Sequence, residues 1–450
     1  MSADPGLSEL TSALLDAAKR FGADQADAMA VRGEMTSVDT RAGGLEHAER
    51  AETVEIGLRV LLGGRQACVS ASDHSAATIV EMAERAVTMA RHSPADEWLG
   101  LAEATQLSRR RDADGLEPAD PGEAPAPSSL EETALRAEAS AAAVPGISQV
   151  EASSASYSRR QMWIAASNGF AGGYARTSHA ISTVAITGEG TGMERDHAGE
   201  SRVWASDLPL PEDIGRLAGE RTVARKGARK PPTGPFPILF DRRVSASIIG
   251  HLLGAVNGSA IARGASWLLR ALEEQVLPDT LTLTEDPHRP RFGSSRLFDA
   301  EGLPTQQRRI VDQGQLMGWS LDLATGRKLG MVSTASASRG LSSPPSPGHS
   351  NVILSGGIST REDLIRDMGR GLVVTSMLGA SINPTTGDYS RGAAGFWVEN
   401  GAISHAVNEC TIAGNLRGML LRMQAADDAE RWRGVEVPSL LIEGMTVAGA

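Results

Sequence analysis

Aromatic residues make up only 4% of this 450-residue chain, and it holds only two cysteines, Cys68 and Cys410. Two cysteines far apart, each inside an apolar β-like stretch, exclude a disulfide scaffold and fit a reducing compartment where thiols act as small hydrophobes. No run approaches the ~18 uninterrupted apolar residues of a membrane span. Residues 1–7 show neither the basic nor the apolar segment of a leader, so we expect a cytoplasmic chain without a membrane partner. A basic surplus is missing as well. The net charge is −11, and scattered basic residues give no field to neutralise phosphates, which argues against nucleic acid as a direct partner. The short run Arg225, Lys226, Arg229, Lys230 beside Pro231-Pro232 reads as a solvated linker.

What the chain does have is 49 glycines and 41% hydrophobic residues, enough for large cores and many tight turns. Leu7, Leu10, Leu14, Ala18 and Phe21 recur at helical spacing and Gly22 stops them. Val54 to Leu62 alternate, Gly63-Gly64 supply a turn, and Ala67, Val69 and Ala71 return, which predicts a hairpin. Ser75 caps a second amphipathic helix carrying Ile79, Met82, Ala83 and Ala86. The Pro-rich stretch 112–129 reads as an exposed loop, followed by a helix opened by a Ser128/Glu131 capping box and ended by Pro145-Gly146. Asn168-Gly169 predicts a type I′ hairpin. A polar helix over 211–225 leads to the proline-rich boundary, and a strand starts at 237–240. The expected class is α+β, with two domains of antiparallel-rich sheet and packed helices, 1–230 and 231–450.

Motifs that carry chemistry are scarce. No histidine is followed by glutamate, and neither cysteine has a second Cys or a His at ligand spacing. Gly188-Glu189-Gly190-Thr191-Gly192 precedes polar residues, so it reads as a turn and not as a nucleotide loop. The pairs Glu285-Asp286 and Asp299/Glu301 read as turn and capping residues. The densest unusual stretch, 387–401, runs Gly-Asp-Tyr-Ser-Arg-Gly-Ala-Ala-Gly-Phe-Trp-Val-Glu-Asn-Gly. Its glycines fit either close approach of a peptide or partner backbone, or a tight hairpin with a buried aromatic pair.

That stretch, followed by Glu409-Cys410-Thr411-Ile412-Ala413-Gly414-Asn415-Leu416, resembles the C-terminal signature of the TldD/PmbA family. Phe298-Asp299-Ala300-Glu301-Gly302, Gly57-Leu58-Arg59-Val60 and the closing Leu440-Leu441-Ile442-Glu443-Gly444-Met445 agree, so the resemblance covers nearly the whole chain. It implies two kinds of subunit that pair: a TldD type with a His-Glu-x-x-x-His helix and a distal cysteine ligand, and a PmbA (TldE) type without them. On the helix expected at 244–256, Ala246 stands where the first His would be and Ser247 where the Glu would be. His251 alone remains, and no cysteine follows Cys410. The resemblance therefore implies a non-metal-binding subunit of a cytosolic zinc peptidase acting on small or unfolded peptides. No cofactor is expected in this chain, and zinc is expected in a TldD-type partner. The alternative is a homodimeric peptide-binding scaffold. His251 is expected to be a satisfied core or groove histidine. Asp388, Tyr389, Ser390, Arg391 and Glu399 are expected to face substrate or partner, with the stretch 388–391 taking a peptide as an added strand.

Overall fold

The computed structural model describes residues 5–449; the first four residues of the segment read for a leader lie outside them. The first half is an antiparallel sheet built on very long strands: β1 Gln25–Arg41, β2 Gly44–Leu62, β3 Arg65–Ala71, β4 Ile147–Ala166, β5 Ala171–Thr187 and β6 Glu194–Arg202. Their order is β3-β2-β1-β4-β5-β6. Four helices, α1 Pro5–Arg20, α2 Ala76–His92, α3 Pro127–Ala142 and α4 Pro211–Ala224, pack on one face of it. Period-two alternation divides the faces. Ala26, Ala28 and Ala30 of β1 pack with α1 and α2, while Met29 and Val31 point to the other face, against Leu297 and Phe298 of the second half.

The β2–β3 hairpin follows the alternation, with Gly63 (φ 56°) and Gly64 (φ 69°) both left-handed as the two-residue turn requires. Ser75 accepts from the Thr78 N–H and opens α2. Four local expectations are corrected. α3 has no capping box: Pro127 occupies its first turn and Ala126 is the cap, because proline's fixed φ already suits that position. At Asn168-Gly169 only Gly169 is left-handed (φ 90°), so the turn is not type I′; Asn168 Oδ1 instead accepts from the Phe170 N–H at 3.1 Å. The Pro-rich loop is only partly exposed. Ala113 and Leu116 are buried, and the loop ties to β5 through Asp120 N–H to Thr177 Oγ1 at 2.7 Å. Nor is Arg225 a solvated linker residue, since it is half-buried and ion-paired with Glu194 and Asp196.

The second half holds the largest core. β7 Gly234–Phe240 lies parallel to the strand Gly371–Ile382, which continues antiparallel to Asp388–Glu399, Ala402–Asn415 and then Leu440–Ala448. Leu440–Ala448 also pairs with β7, so these five strands close on themselves. A second sheet carries Thr282–Asp286 between Arg308–Asp312 and Asn351–Ser355. Both cysteines are unpaired. Among the described residues no helix is long and apolar enough to cross a membrane.

Candidate functional site

Helix α5, Ala246–Ala255, follows β7 and inserts Ile248, Ile249, Leu252 and Leu253 into the core. Ala246 is its first residue, and the Ser247 hydroxyl turns back to donate to the Val244 carbonyl at 2.7 Å. His251, one turn on, meets the Tyr389 ring edge-on at 5.7 Å between centroids. Its Nε2 is buried and has no hydrogen-bond partner, so the expectation of a satisfied histidine is corrected. Burial, reinforced by the Arg391 guanidinium, holds its pKa below the ordinary value, and the ring is neutral at pH 7. Tyr389 is 2% exposed, donates to Met377 Sδ at 3.4 Å, and is pushed up to about 12 by burial.

Arg391 donates from Nε to the Gly379 carbonyl at 2.6 Å. Asp388 is exposed and accepts from Thr386 Oγ1 at 2.7 Å and Asn415 Nδ2 at 3.2 Å, which hold its carboxyl below the usual range. Ser390 is half-buried. Glu399 stands at the far end of the same strand, about 35 Å away at ~3.3 Å per residue, where it accepts from Trp397 Nε1 at 3.3 Å. The structure thus gathers His251, Tyr389 and Arg391, places Asp388 beside them and separates Glu399.

The strand Asp388–Glu399 is interior, paired along both edges. Its main-chain groups are already spent on its neighbours, so the expectation that 388–391 takes a peptide as an added strand is corrected; only side chains there can meet a ligand. The glycines follow the same logic. A β-carbon at Gly395 would overlap the Val373 carbonyl of the next strand, so the close backbone is this chain's own. The hairpin is as expected, with Trp397 1% exposed beneath it, while Phe396 of the expected buried aromatic pair is only half-buried.

A second polar cluster, unassigned by the sequence reading, lies where the halves meet. Arg59 of β2 is 4% exposed and bonds Asp27 of β1 at 2.7 Å; Asp27 also pairs with Arg339. Glu301 accepts from the Leu323 N–H at 2.8 Å. Its signs in the sequence were a charged Arg59 within an otherwise apolar strand and the Asp299/Glu301 pair, of which Asp299 is the turn residue expected, accepting from the Glu301 and Leu303 N–H groups. Glu285, by contrast, is no turn residue, lying buried in a strand and bonded to Arg308 at 2.8 Å.

Burial, with the Asp299 and Asp322 carboxyls nearby, pushes Glu301 up to about 8 from its ordinary 4.5. The unfolded chain ionises this group near 4.5 and the folded one only near 8. Its cost is therefore absent below the lower value and grows as pH rises between them, by about 1.4 kcal/mol per pH unit. Glu301→Gln keeps an acceptor for Leu323 and removes the charge. It is expected to stabilise the protein by a few kcal/mol at pH 8 and to match wild type near pH 4, read by urea unfolding at both pH values.

Three family models match the chain: PmbA/TldA metallopeptidase domain 1 at residues 26–90, the central domain at 118–226 and the C-terminal domain at 233–449. Metalloprotease PmbA of Escherichia coli O157:H7 is 35% identical over 414 residues, covering 92% of this chain and 90% of that protein. The chain belongs to the PmbA/TldD metallopeptidase family. It is of the PmbA type. A Metalloprotease TldD homolog of Buchnera aphidicola subsp. Acyrthosiphon pisum (strain APS) is 22% identical over 48% of this chain and 49% of that one. The crystal structure of a Bacteroides thetaiotaomicron VPI-5482 protein designated a modulator of DNA gyrase superposes with a TM-score of 0.91 at 26% identity, covering 100% of both chains.

The family name implies a metal. Around His251, however, the neighbours are a phenol that stays protonated and a guanidinium, which repels a dication. A catalytic zinc takes three protein ligands. Among the described residues no group of three or more His, Cys, Asp or Glu is placed to hold a metal ion. The residues at this helix do not fit one.

Proposed function

We propose that this chain is the non-metal-binding subunit of a two-chain zinc metallopeptidase, cytoplasmic, with the catalytic zinc held by a TldD-type partner and small or unfolded peptides as substrate. The observation that carries this reading is the α5 helix. Ala246 offers a methyl where a ligand would be needed, Ser247 spends its hydroxyl on Val244, and the remaining imidazole faces the Arg391 cation. One imidazole beside a guanidinium gives a zinc ion neither a complete cage nor a base to activate water.

In this reading a zinc held by the partner would supply Lewis-acid chemistry toward the scissile carbonyl. This chain shapes the peptide's surroundings with side chains at one end of the closed sheet, Arg391 and Asp388 foremost. Similarity to both a PmbA and a TldD homologue supports a pairing of the two kinds. A tagged copy expressed at native level and recovered under mild conditions is expected to bring down a TldD-type chain in near-equal amount. Recovery of this chain with itself alone contradicts the pairing and favours the homodimeric scaffold.

A further inference from the structure

A cavity of about 120 Å³ lies where the two halves meet. Met29, Ile164 and Tyr174 of the first sheet line one side, and Arg296 and Arg339 of the second half line the other. The Arg339 side chain is 0% exposed, and neither its Nη1 nor its Nη2 makes a hydrogen bond of acceptable geometry, although Nη1 is in ion-pair contact with Asp27. Arg296 uses Nη1 on the Ala337 carbonyl at 2.7 Å and on Ser338 Oγ at 3.3 Å, and its Nε also finds no acceptor.

Arg339 has little counter-charge of its own beside this space. The Asp27 carboxylate is shared by Arg59 and Arg339. Asp299, the other carboxyl lining the cavity, spends its oxygens on the Glu301, Leu303 and Ala337 N–H groups and lies close enough to Arg296 to feel its charge. Guanidinium does not shed its proton, and the fully buried Arg339 has only Asp27 as an ion-pair partner, a carboxylate it shares with Arg59. A buried charge is tolerated only when it is paired and hydrogen-bonded.

We propose that this cavity is an anion site, in which Arg339 and Arg296 hold one small oxyanion between the two halves. The volume is several times the roughly 15 Å³ that one water needs and far too small for a nucleotide. Planar guanidinium groups suit a carboxylate or a phosphate, and the Met29 and Ile164 wall suits a short alkyl group beside the charge. Inorganic phosphate and the C-terminal carboxylate of a short peptide share this chemistry. Because both halves contribute residues, the bound anion stabilises their docking.

The test is calorimetric titration of the full-length chain at constant ionic strength with inorganic phosphate, with acetate against acetamide, and with N-acetylalanine against its amide. One-to-one saturable binding of phosphate, or of a carboxylate but not its amide, is expected. Phosphate alone identifies an inorganic ion, and N-acetylalanine identifies a peptide terminus. Arg296→Gln and Arg339→Gln should each weaken binding roughly tenfold or more. Arg339→Gln also strips Asp27 of a partner; should it fail to fold by circular dichroism, Arg296→Gln decides. No saturable binding by any acid probe, or unchanged affinity in every folded variant, overturns the proposal. None of these readouts involves a partner chain, so failure here leaves the subunit assignment standing.

Discussion

Gly395→Ala is expected to destabilise the protein by about 3 kcal/mol or more, the range reserved for overlaps that the backbone itself must relieve. Gly395 lies at an irregularity in the pairing of Asp388–Glu399 with Ala402–Asn415, and the position of an added methyl is already taken by the Val373 carbonyl oxygen. A flexible side chain could swing away; a carbonyl fixed between two paired strands cannot. The closed sheet raises the cost, because no free edge is available to absorb a shift. Gly250→Ala provides the control, since it is exposed on α5 with nothing within 4 Å of the new methyl, and it should be neutral or stabilising by up to about 1 kcal/mol. Denaturant unfolding of the two variants reads the contrast, and equal stabilities would remove the close approach as the reason for glycine at 395.

Arg391→Ala should lower peptide cleavage by the reconstituted pair roughly tenfold or more, while zinc content and pairing stay unchanged. With Nε tied to Gly379, the guanidinium is held on an interior strand, and its charge reaches the His251 ring. This fixed position supports a role toward a peptide carbonyl or carboxylate. The same substitution removes a cation that depresses the His251 pKa, so that pKa should rise, a shift readable by NMR titration that a merely structural loss would not produce. Unaltered cleavage removes Arg391 from the substrate-facing set.

The elements legible in the sequence were those whose pattern is local. The β2–β3 hairpin declares itself because Val54 to Leu62 alternate and two glycines occupy the turn, and α2 because Ser75 precedes a clean apolar stripe. β1 escaped because residues 26–31 are buried on both faces and its far half is polar, so neither half alternates. The closure of the second sheet depends on Thr411, Ile412 and Ala413 meeting Ala448, Val447 and Thr446, a pairing with no local sign. At the candidate site, the positions of Ala246, Ser247 and His251 on one helix could be read by spacing. The packing of Tyr389 and Arg391 onto His251 could not, since it joins segments about 140 residues apart that only the fold brings together. The Arg59–Asp27–Arg339 cluster was hidden for the same reason.

The central claim is that this subunit carries no catalytic metal of its own. It is tested most directly by elemental analysis of the purified chain, alone and in complex with a TldD-type partner, with peptide cleavage assayed on the same samples. The account predicts negligible zinc and no cleavage for the chain alone, and one zinc per pair with cleavage for the complex. Near-stoichiometric zinc in the isolated chain, lost on His251→Ala together with cleavage, would contradict it.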